Sequence, residues 1–282
     1  MKYLLMTILI LGSTCSSVKN KYSNWNFSQD CLNPESVYFD EESKLVFVSN
    51  IDGEGDGQDG NGHISLLSMN GDIINSKWIE NLNAPKGMRA HNGQLWVTDI
   101  NDIVVIDIKK SMVIKTFKIK EAKFLNDIAI SPDGSVYVSD SLTSRIHLIK
   151  NNQISTFMEG DRLESPNGLL FHNKKLFVAA WGLTTDWTTK ILGRLYSIDI
   201  KTKAISYITT KPLGNLDGLE INNNGNFIVS DWVKGMIYEI SADGKTITTI
   251  LDGKKGLADI GYIPQTNKIL IPYMLNNSVE SL

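Results

Sequence analysis

Cysteine, histidine and excess charge of either sign are scarce in this chain of 282 residues, and each shortage excludes a class of protein. Two cysteines, Cys15 and Cys31, cannot build a disulfide framework. The four histidines, His63, His91, His147 and His172, show no zinc-ligand spacing and read as ordinary strand or turn residues. Lys plus Arg number 28 against 31 Asp plus Glu, a net charge of −3, so nucleic acid is not expected as a partner. No Gly-x-Ser-x-Gly elbow supports serine hydrolysis. Gly244-Lys245-Thr246 is not a phosphate-binding loop, because Glu239 stands where its first glycine would, and it reads as a hairpin turn. No long stretch with a 3.6-residue apolar period argues for a helix.

What is present points to β structure. The chain is 42% apolar and 21% charged, too apolar for disorder, and its 22 glycines, 6 tryptophans and many Val, Ile and Thr favour strands. The N-terminus reads as an address. Lys2 is followed by the apolar run from Tyr3 to Leu11 and then by small residues, the plan of a secretory signal too short to span a bilayer. The cysteine after that run resembles a bacterial lipoprotein signal, in which Cys15 becomes the lipidated first residue. Ordinary cleavage nearby and a retained cytoplasmic helix are the alternatives. The expected organisation is a signal over residues 1–15, a polar tether over 16–23 and one folded unit over 24–282, exported to the periplasm or anchored to the envelope.

The folded unit is a repeat. One short apolar strand recurs at Leu45–Asn50, Leu95–Ile100, Val136–Asp140, Leu176–Ala180, Phe227–Asp231 and Ile269–Tyr273, with starts spaced by 50, 41, 40, 51 and 42 residues. Turn formers stand before several of them: Asn92-Gly93, Pro132-Asp133-Gly134 and Asn224-Gly225. Such a period with short strands predicts an all-β, six-bladed β-propeller. Closing the ring needs the ends to meet, so the segment 22–30 is expected to supply the last blade's missing outer strand.

Nine or ten residues before each repeated strand stands a residue opening the previous, inner strand: Glu35, Lys86, Asn126, Asn167, Asp217 and Asp259. Inner strands of a propeller line one channel, so these six side chains should converge at one mouth. Three carboxylates so placed repel one another, and a bound cation relieves that. All-oxygen ligands suit a hard ion, Ca²⁺ ahead of Mg²⁺ or Mn²⁺, with Zn²⁺ also in scope. The plainer alternative is that Asn-Gly and Asp-Gly are turn formers only.

These motifs resemble the senescence-marker-protein (regucalcin), gluconolactonase and luciferin-regenerating-enzyme family, six-bladed propellers with one divalent ion in the channel. The resemblance spans nearly all of residues 31–282. Glu35 in Glu35-Ser-Val-Tyr-Phe-Asp40, Asn167 in Pro166-Asn167-Gly168 and Asp217 in Asp217-Gly218 match the family's metal ligands. Asp217 is also matched to its proposed general base. Asn126 in Asn126-Asp127 matches the asparagine that reaches the metal through water or substrate. The family's sugar-acid hydrolases often carry Arg two residues before that pair, where this chain has Phe124, so their sugar lactones are not the expected substrates.

The resemblance implies a metal-dependent lactone or ester hydrolase with a small-molecule substrate. Asp217 would take the proton of an attacking water, while Lys86 or Asn126 would orient the substrate. Lys86 would alternatively neutralise Asp259. Trp181 and Trp232 are candidates for an apolar wall near the mouth, and packing between blades is the alternative for them and for Trp187. A non-catalytic propeller that binds a ligand or partner protein is the second functional class, because propellers serve many roles. Asp52–Gly62 resembles a calcium loop, but His63 stands at the twelfth position, so a surface insertion is favoured over a second Ca²⁺ site.

Overall fold

The computed structural model describes residues 24–282. The signal over 1–15, including Cys15, and the tether over 16–23 lie outside the described residues. The described chain folds into six four-stranded antiparallel sheets, the six blades of a β-propeller. Each blade is a meander running outward from the channel, a topology that alternating strands and tight turns specify. The repeated apolar strands are the second strand of each blade: Leu45–Asn50, Gln94–Asp99, Val136–Asp140, Lys175–Ala180, Phe227–Asp231 and Lys268–Tyr273. They are buried almost throughout because both of their faces meet neighbouring blades.

Turn chemistry explains where the strands reverse. Asn92 and Gly93 join the innermost strand Pro85–His91 to Gln94–Asp99 and have φ of 51° and 71°. Two successive left-handed residues make the hairpin turn whose twist matches the strands, and Asn-Gly is its preferred pair. Blade four uses Asn173 and Lys174 at the same place, with φ of 48° and 63°.

The core is divided among the blade interfaces. Phe47 and Ile64 of blade one pack with Met88, Leu95 and Val97 of blade two. Ile103 and Val105 of blade two pack with Ile128, Val136 and Val138 of blade three. The same pattern continues round to the interface of blades six and one, where Leu270 and Val279 meet Val37 and Val46. No blade can bury its two faces alone, so ring closure is part of the stability.

Closure is made by the N-terminal segment. Asn26–Phe27, inside the segment 22–30, forms the outer strand of blade six and pairs with Ser278–Ser281, Asn26 opposite Glu280 and Phe27 opposite Val279. The innermost strands of blades six and one also hydrogen-bond directly. Val37 N–H donates to the Asp259 carbonyl at 3.1 Å, and Asp259 N–H donates to the Glu35 carbonyl at 2.9 Å.

Candidate functional site

Each innermost strand enters the channel at its N-terminal end, and two recurring devices hold that entry. The first is a carboxylate or amide at the end of the second strand. Asp99 accepts from the N–H groups of Asn83 and Ala84 at 3.0 and 2.7 Å, just before Lys86. Asp140 accepts from Lys123 and Phe124 at 3.1 and 3.0 Å, just before Asn126. Asn50 accepts from Leu32 at 3.2 Å, ahead of Glu35. The second device is a hydroxyl that reaches the next blade. Thr98 Oγ1 donates to the Asn126 carbonyl at 2.6 Å, and Ser139 Oγ to the Asn167 carbonyl at 2.8 Å. Five innermost strands also show a register irregularity beside the ring residue. Bulges of this kind re-aim side chains next to functional sites.

The same hydroxyls correct the sequence register in blade six. Ser230 Oγ donates to the Ala258 carbonyl at 2.8 Å, the place taken by Asn126 and Asn167 in their blades. Ala258 is therefore the sixth ring residue. Asp259 pairs with Ser36 in a parallel bridge and accepts from its hydroxyl at 2.5 Å, one step deeper in the channel. The sequence reading had placed Asp259 in the ring. A spacing of ten residues to Ile269 favours Asp259, but the second strand of blade six opens at Lys268, ten residues after Ala258. Lys86 consequently faces Glu35, its leading charged neighbour, rather than Asp259.

Glu35, Lys86, Asn126, Asn167 and Asp217 line one cavity of about 390 Å³, together with Trp181 and Trp232. A larger groove of about 960 Å³ runs over the outer surface between blades three and four, but it gathers no channel residue. All five polar ring residues are buried. Lys86 Nζ is clamped by the Ala84 carbonyl at 2.8 Å and the Gly55 carbonyl at 2.7 Å, and sits 4.3 Å from the Phe124 ring centre. The second of those carbonyls places the Asp52–Gly62 loop over this mouth of the channel. Among the described residues, no three His, Cys, Asp or Glu side chains gather into a metal-holding group, and Asp56 and Asp59 of the loop are exposed. The Glu35, Asn167 and Asp217 set, with two carboxylates and an amide, is a different kind of site.

Its electrostatics show unrelieved charge. Burial first, then Asp217, push the Glu35 carboxyl well above its ordinary value, with Lys86 opposing. Burial, then Asp127 and Asp231, push Asp217 up to about 8, with the Asn167 side chain opposing. Desolvation holds Lys86 down to about 8 against the pull of Glu35 and Asp99. Two buried acceptors, Glu35 Oε2 and Asn167 Oδ1, have no hydrogen-bond partner among the described residues. The Asn167 amide nitrogen, in contrast, donates to the Leu216 carbonyl at 3.2 Å, which fixes the side chain. Unsatisfied buried acceptors beside a second carboxylate, Asp217, are what a hard cation requires.

Below the ring the channel is closed by charge. Arg89 of blade two and Glu220 of blade five meet at 3.0 Å, across the channel from one another. Asp127 and Asp259 lie between this pair and the ring and both act on the Arg89 charge. Sequence reasoning passed over this pair, and it passed over Lys255, Val233, Met274 and Ile51 of the cavity wall. Phe124 was read only as a departure from the family and Trp187 only as one of several tryptophans. Arg89 and Glu220 lie on innermost strands among ordinary alternating residues, and the wall residues lie in connections without a repeat, so no periodicity marks them.

No sequence-family profile and no curated protein sequence matches the chain. Solved structures do. Streptogramin B lyase is similar with a TM-score of 0.61 and 14% identity over 92% of this chain and 96% of that one. The nidogen/laminin complex gives 0.65 and 14% over 84% and 88%. A catalytically inactive virginiamycin B lyase from Staphylococcus aureus, with quinupristin, gives 0.59 and 14% over 92% and 97%. At this identity the likeness establishes the architecture that these proteins share with the chain, the six-bladed β-propeller.

Proposed function

We propose that the protein is a metal-dependent hydrolase of a lactone or ester, of the gluconolactonase-like type, with Glu35, Asn167 and Asp217 holding one divalent cation, Ca²⁺ foremost. The observation that carries this reading is the pair of buried, unpartnered acceptors Glu35 Oε2 and Asn167 Oδ1 on the same cavity as Asp217. The cation, when bound, supplies Lewis-acid polarisation of the substrate carbonyl and lowers the carboxyl pKa values that burial has raised.

The chain's own residues supply the rest. Asp217 accepts a proton from the attacking water as the water oxygen bonds to the acyl carbon. The acyl C–O bond then breaks, and the proton returns from Asp217 to the departing alkoxide oxygen, so only water is consumed. Asn126, whose amide nitrogen donates weakly to Ser141 Oγ at 3.4 Å, is free to turn a donor toward substrate. Lys86 keeps one N–H beyond its two carbonyls and holds positive charge beside Glu35. Export to the periplasm or a lipid anchor at Cys15 belongs to the same proposal and rests on the N-terminal pattern.

Elemental analysis of dialysed protein tests the metal. About one Ca²⁺ or similar ion per chain, lost in Asp217→Ala, is the expected result. Added Ca²⁺ should stabilise the metal-stripped wild type by about 3 kcal/mol at a hundredfold excess over its dissociation constant, and leave Asp217→Ala unmoved. No bound ion and no thermal shift with Ca²⁺, Mg²⁺, Mn²⁺ or Zn²⁺ would sink the hydrolase. A lactone and ester panel follows, with Asp217→Asn expected to lose at least a hundredfold in rate. Product analysis separates hydrolysis from the elimination that the lyases of similar fold suggest as the rival chemistry. The aromatic wall favours one second reading, a non-catalytic ligand-binding propeller. It would show an intact metal site with no turnover of any member of the panel.

A further inference from the structure

The cavity has two unlike halves. Its floor is the polar ring, and its wall is a continuous run of aromatic rings from three blades. Phe124 meets Trp187 edge-on at 4.7 Å between ring centres, Trp187 meets Trp181 at 5.1 Å, and Trp181 meets Trp232 at 6.1 Å. Edge-on and tilted contacts at these separations are the favourable ones, so the rings hold one another in place. The rim loop that carries Trp187 is itself built. Asn215 Nδ2 donates to the Trp181 carbonyl at 3.0 Å and to Thr189 Oγ1 at 2.9 Å, and Asp186 accepts from Thr188 N–H at 3.0 Å. Trp187 has a φ of 67°, a left-handed backbone that a bulky side chain rarely adopts. Such strain persists only where the surroundings impose it, and it clusters at ligand sites.

Two further considerations restrict the ligand. The Phe124 and Trp232 faces already carry ammonium groups, Lys86 Nζ at 4.3 Å and Lys255 Nζ at 5.0 Å. A cationic ligand stacking on this wall would meet like charge, so a quaternary ammonium cage is disfavoured. A polyol, finally, would leave most of its hydroxyls facing rings that accept nothing.

We infer that Phe124, Trp181, Trp187 and Trp232 select a lactone or ester bearing an uncharged aryl or similarly flat apolar group. The reacting bond is taken from the proposed hydrolase function; the wall's preference does not depend on it. A cavity of about 390 Å³ accommodates such a molecule.

The test compares γ-phenyl-γ-butyrolactone, γ-butyrolactone, glucono-1,5-lactone and acetylcholine on the full chain with Ca²⁺. Turnover is followed in wild type, and equilibrium binding by tryptophan fluorescence in Asp217→Asn. The phenyl lactone is expected to exceed γ-butyrolactone by about thirtyfold in kcat/KM and in affinity, with the other two weaker still. Trp187→Leu should remove about tenfold of that preference. Trp232→Leu replaces Trp187→Leu if the latter unfolds on thermal melting. Binding of the phenyl lactone without hydrolysis of any ester would sink the chemistry and keep the ligand class. Gluconolactone or acetylcholine binding as tightly as the phenyl lactone, or folded wall variants with unchanged preference, would overturn the ligand class whatever the fate of hydrolysis.

Discussion

At the scale of single residues, the channel is a stack of charges drawn largely out of water. Glu220 is the clearest case. Burial pushes its carboxyl from an ordinary 4.5 up to about 7, although Arg89 at 3.0 Å pulls the other way. A folded pKa above the unfolded one means that the native state binds the extra proton. The stability this brings is fully present below about 4.5 and is lost as pH rises through about 7. Glu220→Gln removes that dependence. Urea titrations at pH 4.5, 6 and 8 should therefore show the difference, wild type minus variant, moving against the wild type by up to about 3 kcal/mol. A pH-independent difference would mean that the pair is ionised throughout. Glu35 and Asp217 carry the same signature of raised carboxyls, but there the orphaned acceptors point to a cation as the remedy.

At the scale of elements, the strands are positioned by small hydrogen-bonding devices. Ser139 is fully buried and bridges two blades. Its hydroxyl accepts from Asp127 N–H at 2.9 Å and donates to the Asn167 carbonyl at 2.8 Å. Ser139→Ala leaves both groups buried and unsatisfied, and should destabilise by about 2 kcal/mol in chemical denaturation. Because the Asn167 carbonyl belongs to a ring residue, Ca²⁺ affinity should fall in the same variant. The hairpin turn of blade four offers the opposite sign. Lys174 holds a φ of 63° where Gly93 stands in blade two, so Lys174→Gly should stabilise by about 0.5–1 kcal/mol, read as a higher Tm. The turns and the second strands were legible in the sequence, since both depend on neighbours a few residues apart. Their observed bounds differ from the sequence reading by one residue at most. The hydroxyl stitches were not, because a serine inside Val-Ser-Asp reads the same whether or not it meets another blade.

At the scale of the whole molecule, stability depends on the ring being closed. Asn26–Phe27 is a strand of two residues, yet it covers the edge of blade six, and Phe27 is 2% exposed in the core shared by blades six and one. Phe27→Ala should destabilise by about 3–5 kcal/mol, and deletion of residues 24–30 should lower the Tm further and expose the edge strand Ser278–Ser281 to aggregation. Light scattering during thermal melting measures both. A variant that melts like the wild type would show that blade six holds without its outer strand.

The sequence by itself determined the number of blades, the strand that recurs in each and five polar ring residues in a common register. It could do so because a blade is a local meander, and local alternation and turn chemistry leave a period in the chain. Two things were decided only by the tertiary structure. One is the sixth ring position, Ala258 rather than Asp259, where a shift of one residue turns a side chain to a different layer of the channel and no composition signal records it. The other is the full extent of the aromatic wall: Trp181 and Trp232 are legible as candidates beside the repeated strands, but only the closed ring brings Phe124 and Trp187, from loops of blades three and four, onto the same surface. Contact between residues far apart in the chain is set by packing around the channel, which the order of residues does not display.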